Sequence, residues 1–120
     1  MVSHHKIGHL CEKWALAALM LKGYLPVGMN VITGRGTGAG EIDLIVRRGK
    51  TLVFVEVKKR STYAKGVDAI TIENQMRVTR ASAAYLKRHP IYQNWQVRYD
   101  AVICRPWKWP IHIKDAWRIM

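Results

Sequence analysis

Carboxylates are scarce in this chain: eight Asp and Glu stand against twenty Lys and Arg, for a formal net charge of +12 and a pI near 10.2. That shortage argues for a polyanionic partner, nucleic acid first and an anionic membrane surface second. The basic residues are spread along the chain and not gathered on one amphipathic helix, which sets the membrane surface behind nucleic acid. Only two cysteines occur, Cys11 and Cys104, without CxxC spacing. This excludes a disulfide framework and disfavours zinc, so both are expected to be small buried groups in a reducing compartment. No apolar run approaches the ~20 residues of a membrane span. The run Trp14 to Leu21 sits between Lys13 and Lys22 with no small-residue cleavage site after it, and a cytoplasmic protein is expected. Repeats, low-complexity tracts and linkers are missing too, so the 120 residues, 49% hydrophobic, are read as one domain spanning 1–120.

Because acids are few, their placement carries information. Three of the eight, Glu41, Asp43 and Glu56, fall in the stretch from Gly40 to Lys58, which reads as two strands and a turn. Both halves alternate with period two, placing Glu41, Asp43, Ile45 and Arg47 on one face and Leu52, Phe54, Glu56 and Lys58 together in the second strand. Arg48-Gly49-Lys50-Thr51 is expected as the loop. The resulting register pairs Arg47 with Leu52 and sets Asp43 opposite Glu56. Two carboxylates opposed about 5 Å apart repel each other, and a hard divalent cation such as Mg²⁺ would compensate them. Lys58, on the same face, would stabilise developing negative charge or orient a water.

Around this hairpin the chain reads as follows. A helix is expected over about 6–22, capped by Gly23; it is apolar on most sides, suited to the core or to a second copy of the protein. Glu12 falls on the side of Ala15, Leu16 and Leu19, either as a marginal surface residue or as a carboxylate directed inward. His4, His5 and His9 are read as part of an exposed terminus and not as metal ligands. An edge strand is expected over 24–32. The following loop holds four glycines in eight positions and lacks the Gly-Lys-Ser/Thr ending of a nucleotide-binding loop, so it is read as a mobile basic loop with Arg35 at its tip.

Beyond the hairpin, residues 59–66 read as a basic polar loop containing Lys59, Arg60 and Lys65. A helix is expected over 71–88, with Ile72, Met76, Thr79, Ala83 and Leu86 as its buried stripe, Arg77, Arg80, Lys87 and Arg88 exposed, and Gln75 at the margin. Gln96 to Cys104 reads as a strand with Asp100 paired to an Arg, and Ile111 to Ile113 as a short last strand. Between them Arg105-Pro106-Trp107-Lys108-Trp109-Pro110 interleaves aromatic and basic residues, a composition that stacks on bases or covers the edge of a core.

The order helix, strand, acidic hairpin, helix, strand, with Asp43 followed by Glu56-Val57-Lys58, resembles the PD-(D/E)XK nuclease superfamily. More narrowly, Gly8-x-x-Cys11-Glu12-x-x-Ala15, Gly23-Tyr24, Asn30, Gly40-Glu41-Ile42-Asp43-Leu44-Ile45, Val55-Glu56-Val57-Lys58-x-Arg60, Gln75 and Tyr99-Asp100 resemble the YraN-like family, an endonuclease-like group compared with archaeal Holliday junction resolvases. The resemblance implies an α/β, restriction-endonuclease-like core of order α-β-β-β-α-β, with a mixed sheet flanked by helices. It implies Mg²⁺ or Mn²⁺, one or two ions, held by Asp43, Glu56 and the Val57 carbonyl, with Lys58, Glu12 and Gln75 completing the catalytic set. The implied partner is DNA, branched or junction DNA by analogy, bound with help from Arg35, Lys59, Arg60, Lys65, Arg77 and Arg80, and a homodimer is expected. Two positions depart from the family pattern: Cys11 stands where a glycine commonly precedes the helical Glu, and Asn74 where a basic residue commonly precedes the Gln. The alternative is a nucleic-acid-binding module that keeps the site but does not cleave alone.

Overall fold

Nine-residue apolar strands in the middle of the chain dictate the architecture. Thr51–Lys59 (β3) is buried without a break from Leu52 to Glu56, the pattern of a strand covered on both faces. In the computed structural model, which describes residues 4–33 and 40–118, with the side chains of 4–9 left aside, β3 is the centre of a five-stranded sheet. Its neighbours are Leu25–Thr33 (β1) and Gly40–Arg48 (β2) on one side and Gln96–Cys104 (β4) and Ile111–Trp117 (β5) on the other, in the order β1-β2-β3-β4-β5. β3 and β4 are parallel and the other neighbours antiparallel, giving the expected mixed α/β sheet flanked by helices.

His4–Leu21 (α1) covers one face. Ala15 and Leu19 pack with Tyr24, Leu44, Val46, Val53, Val55, Val102 and Cys104. Gly23, at φ 92°, ends α1 as expected, since an L side chain resists that backbone. Ile72–Arg88 (α3) covers the other face, with Val78, Ala81 and Tyr85 against Ile42, Ile45, Leu52, Phe54, Tyr99 and Trp117. The helix lies where expected but its buried stripe does not: Ile72 and Met76 are 72% and 54% exposed, while Val78, Ala81, Ser82 and Tyr85 face inward. Tyr85 is buried and meets the Phe54 ring edge to face, with ring centres 5.9 Å apart, so the aromatic side, and not the methionine side, turns to the sheet.

Three further features depart from the sequence reading. The hairpin turn is two residues shorter, with Arg48 paired to Thr51 and Gly49 at φ 60°. Part of the basic loop folds as a short helix, Tyr63–Asp68 (α2), whose first turn is capped by Thr62 accepting from the Lys65 amide. β5 continues to Trp117. Both sheet edges are irregular. β1 shifts register between Pro26 and Gly28 and holds Asn30 at φ 50°; β5 pairs across a shift between Tyr99 and Ala101 and holds Asp115 at φ 57°. No helix among the described residues is long and apolar enough to cross a membrane.

Candidate functional site

Asp43 and Glu56 meet where the hairpin stops being regular. The register is the expected one, Arg47 with Leu52 through Leu44 with Val55. Beyond that pair the Asp43 side chain takes over, its Oδ2 accepting the Val57 amide N–H at 2.8 Å. Strict alternation also fails at this point: Ile42 joins Ile45 in the cluster under α3, though period two would set them on opposite faces. On the other side of β2, Asn30 with its left-handed backbone stands between the pairs Met29–Leu44 and Val31–Ile42. β2 therefore stops pairing with β3 before Asp43, while β3 runs on, held by β4 through Glu56–Ala101, Val57–Val102 and Lys58–Ile103.

Glu56 is 4% exposed, and a carboxylate at that depth needs compensation. Lys58 Nζ lies 3.3 Å and an Arg77 guanidinium nitrogen 3.9 Å from the same oxygen, Oε1. Arg77 reaches it from α3 and is held by Asn74, whose Oδ1 accepts from Arg77 at 2.7 Å. Asn74 is fixed in turn, its amide N–H donating to Thr71 Oγ1 and its Nδ2 to the Ala69 carbonyl. Arg77 also packs over Gly40, where an added Cβ would lie 3.1 Å from Arg77 Cγ. Asp43 has less. Burial and the neighbouring Glu56 push its carboxyl up to about 7, against the pull of the Val57 amide, with Glu41 raising it and Lys58 lowering it further.

The donor set is hard: two carboxylates, to which the resemblance adds the Val57 carbonyl, which suits Mg²⁺ or Mn²⁺ completed by water, since Mg²⁺ commonly takes only one or two carboxylates. Among the described residues no three His, Cys, Asp or Glu side chains gather as a metal cluster. The raised Asp43 carboxyl fits a cation in that position, which would lower it again.

The other expected site residues divide. Lys58 and Arg77 join the carboxylates. Gln75 is half-buried on α3, its amide Nε2 donating to the Ile70 carbonyl at 3.3 Å. Glu12 is half-buried on α1, the helix on the opposite face of the sheet from α3. Lys59, Arg60, Lys65 and Arg80 are exposed; Arg80 lines a cleft of about 400 Å³ with Thr71, Glu73, Asn74, Met76 and Arg77. Arg35, like His4, His5 and His9, lies outside the residues whose side chains are described. The roles of Asn74 and Arg77 in fixing Glu56 were not legible as such; their spacing of three on a predicted helix was the available signal.

A second buried acid shows the opposite chemistry. Asp100, on the α1 side of β4, accepts from Arg98 Nε and a terminal guanidinium nitrogen, each at 2.8 Å, from His112 Nε2 at 2.6 Å and from the Asp115 amide at 2.9 Å. Burial raises its carboxyl, but the hydrogen bonds from His112, Arg98 and Asp115 outweigh that and hold it at about 2. The expected pairing of Asp100 with an Arg is present, and Arg98 extends it to Tyr24 Oη at 2.6 Å.

Comparison with known sequences places this arrangement in a family. A family model matches residues 11–104, from α1 to the end of β4, and so includes Glu12, Asp43, Glu56, Lys58, Gln75 and Asp100. The chain belongs to the uncharacterised protein family UPF0102. Its relatives in the family include a UPF0102 protein of Paramagnetospirillum magneticum, 45% identical over 112 residues, covering 93% of this chain and 87% of the relative. A UPF0102 protein of Methylorubrum extorquens is 44% identical over 115 residues, covering 96% and 87%. One of Mesorhizobium japonicum is 42% identical over 113 residues, covering 93% and 86%. UPF0102 membership bears out the narrower, YraN-like resemblance.

Proposed function

We propose that this UPF0102 protein is a Mg²⁺- or Mn²⁺-dependent endonuclease of the PD-(D/E)XK type that hydrolyses DNA phosphodiesters, with branched or junction DNA the substrate suggested by analogy. One observation carries the reading: Asp43 is held protonatable near neutrality beside the buried Glu56, with Lys58 two residues further along the same strand. Such a carboxylate pair costs stability unless a cation joins it. Asp43, Glu56 and the Val57 carbonyl would hold the ion, which when bound supplies positive charge to polarise the scissile phosphate and to favour deprotonation of water. An ion held there would displace the Asp43 proton, so its affinity would rise through pH 7.

Lys58, whose Nζ lies 3.3 Å from Glu56 Oε1, would stabilise charge developing on the phosphate. Arg77, on the same Glu56 oxygen, holds that side chain in place. The exposed Lys59, Arg60, Lys65 and Arg80, with Arg35 from the glycine-rich loop, neutralise flanking phosphates. On the resemblance alone, Gln75 and Glu12 join the catalytic set in this proposal, Glu12 from the helix across the sheet. A homodimer through the exposed Leu10, Trp14, Met20 and Leu21 of α1, acting in the cytoplasm where Cys11 and Cys104 stay reduced, belongs to the same reading.

The ion pairs of Glu56 with Lys58 and Arg77 favour one alternative, a nucleic-acid-binding module in which these charges hold the hairpin and nothing is cut. The two are separated by incubating labelled single-stranded, duplex, flap and four-way-junction DNA with Mg²⁺ or Mn²⁺ and comparing wild type with Glu56→Ala and Lys58→Ala. The nuclease reading expects cutting by the wild type and its loss in both variants. If none of the three cuts and all bind the DNA with one salt dependence, the binding module stands instead.

A further inference from the structure

The turn joining β4 to β5 carries a side chain that the carboxylate site leaves without a role. Trp107, at its tip, is 103% exposed and has φ 58°. A bulky residue is unfavourable in the left-handed region, so the backbone is strained at the point where the indole stands in water. The turn is nonetheless built. The Lys108 amide donates to the Arg105 carbonyl and the Arg105 guanidinium to the Trp109 carbonyl, each at 3.4 Å. Trp109 meets Trp14 of α1 edge to face, with ring centres 6.1 Å apart.

Its position and charge are specific. Because β3 and β4 are parallel, with Lys58 beside Ile103 and Lys59 beside Cys104, the turn leaves the sheet at the strand ends where β3 passes from Lys58 to the exposed Lys59 and Arg60. The Arg60 amide closes that edge on the Cys104 carbonyl at 3.0 Å. With ~4.8 Å between strands and ~3.8 Å per residue, the Trp107 Cα lies within about 16 Å of that of Lys59. The two segments meeting here, residues 57–67 and 101–114, hold no carboxylate, while Lys58, Lys59, Arg60, Lys65, Arg105 and Lys108 fall inside them. A flat aromatic flanked in the chain by Arg105 and Lys108 matches a ligand with exposed π-faces and regularly spaced negative charge. Bases inside a duplex present no free face; unpaired ones do.

We propose that Trp107 is a stacking platform for an unpaired nucleobase, with Arg105 and Lys108 on the adjoining phosphates. The preferred nucleic acid thus has a single-stranded segment a few nucleotides from the Asp43–Glu56 site. This rests on the nucleic-acid reading above but not on cleavage, and it is tested without divalent ions.

Binding of a labelled oligothymidine and of a blunt duplex of the same length is measured by fluorescence anisotropy in EDTA over a salt series, for wild type, Trp107→Ala and Trp107→Phe. Trp107→Ala is expected to weaken oligothymidine binding ~10-fold while leaving the duplex within ~2-fold and the salt slope unchanged, with Trp107→Phe retaining most of the affinity. Equal losses on both ligands, or no loss on either, would overturn the platform. So would sedimentation showing that Trp107→Ala splits a dimer, or wild type that binds anionic vesicles but not the oligonucleotide. Wild type that passes this test yet cuts nothing with Mg²⁺ or Mn²⁺ would sink the nuclease reading alone.

Discussion

Asp43 and Asp100 are the same side chain, both set into the sheet, and they titrate on opposite sides of the ordinary carboxyl value. Asp100 has donors on both oxygens and sits at about 2; Asp43 has one amide and a carboxylate neighbour and sits at about 7. From about pH 4 to pH 7 the unfolded chain gives up the Asp43 proton while the folded chain keeps it, so stability falls across that window and levels off above it. Asp43→Asn keeps an acceptor for the Val57 amide and removes the charge. It should raise apo stability by about 1–2 kcal/mol at pH 8 and by nothing at pH 4, read as denaturation midpoints at the two pH values. Glu56→Gln should do the reverse, because it strips Lys58 and Arg77 of their partner, and a loss of about 1–3 kcal/mol is expected. Added Mg²⁺ should stabilise wild type more than either variant. If Asp43→Asn lowers apo stability at pH 8, the carboxylate pair is structural and the cation site is wrong. The pairing of Asp43 with Glu56 was legible because alternation and a short turn fix a register. The Asn74–Arg77 support was not, since it depends on how α3 is rotated over the sheet.

At the scale of elements, helix and strand positions could be read from periodicity and caps, while faces and short helices could not. Tyr85 and Val78 outweigh Met76 and Ile72 for the inner face of α3 only once the sheet beneath supplies Phe54 and Tyr99. α2, with six residues, is too short to show a period. Its fit is nonetheless tight. A Cβ on Gly66 would collide with Ile103 Cγ2 and lie 2.8 Å from its Cδ1, in the strand beside Lys58. Gly66→Ala should cost about 1–3 kcal/mol by overpacking, seen as a lower Tm, and should displace the segment bearing Lys65. A variant as stable as wild type would show that α2 is free to lift from β4. The break in alternation at Asp43 escaped a period-two reading for a related reason: it coincides with the Asp43–Val57 hydrogen bond and with Asn30 across the strand pair, and neither leaves a pattern in the chain.

For the molecule as a whole, a net charge of +12 makes affinity for a polyanion a function of salt. Each Lys or Arg that neutralises a phosphate contributes a slope near −0.9 in log K against log salt, so Arg80→Ala should flatten the slope by about one without changing which DNA is preferred. Titrations at four or more salt concentrations would show it, and an unchanged slope would take Arg80 out of the interface. The outline of the sheet carries a separate consequence. A strand pairs with a strand from another chain only along a regular run of free N–H and C=O groups. Both outer strands interrupt that run, β1 with its shift at Pro26 and Gly28 and the turn of Asn30, β5 with its shifted register and the turn of Asp115. These interruptions disfavour joining two copies edge to edge into one continuous sheet and favour association through helices or turns, and they disfavour fibrous stacking in the same way.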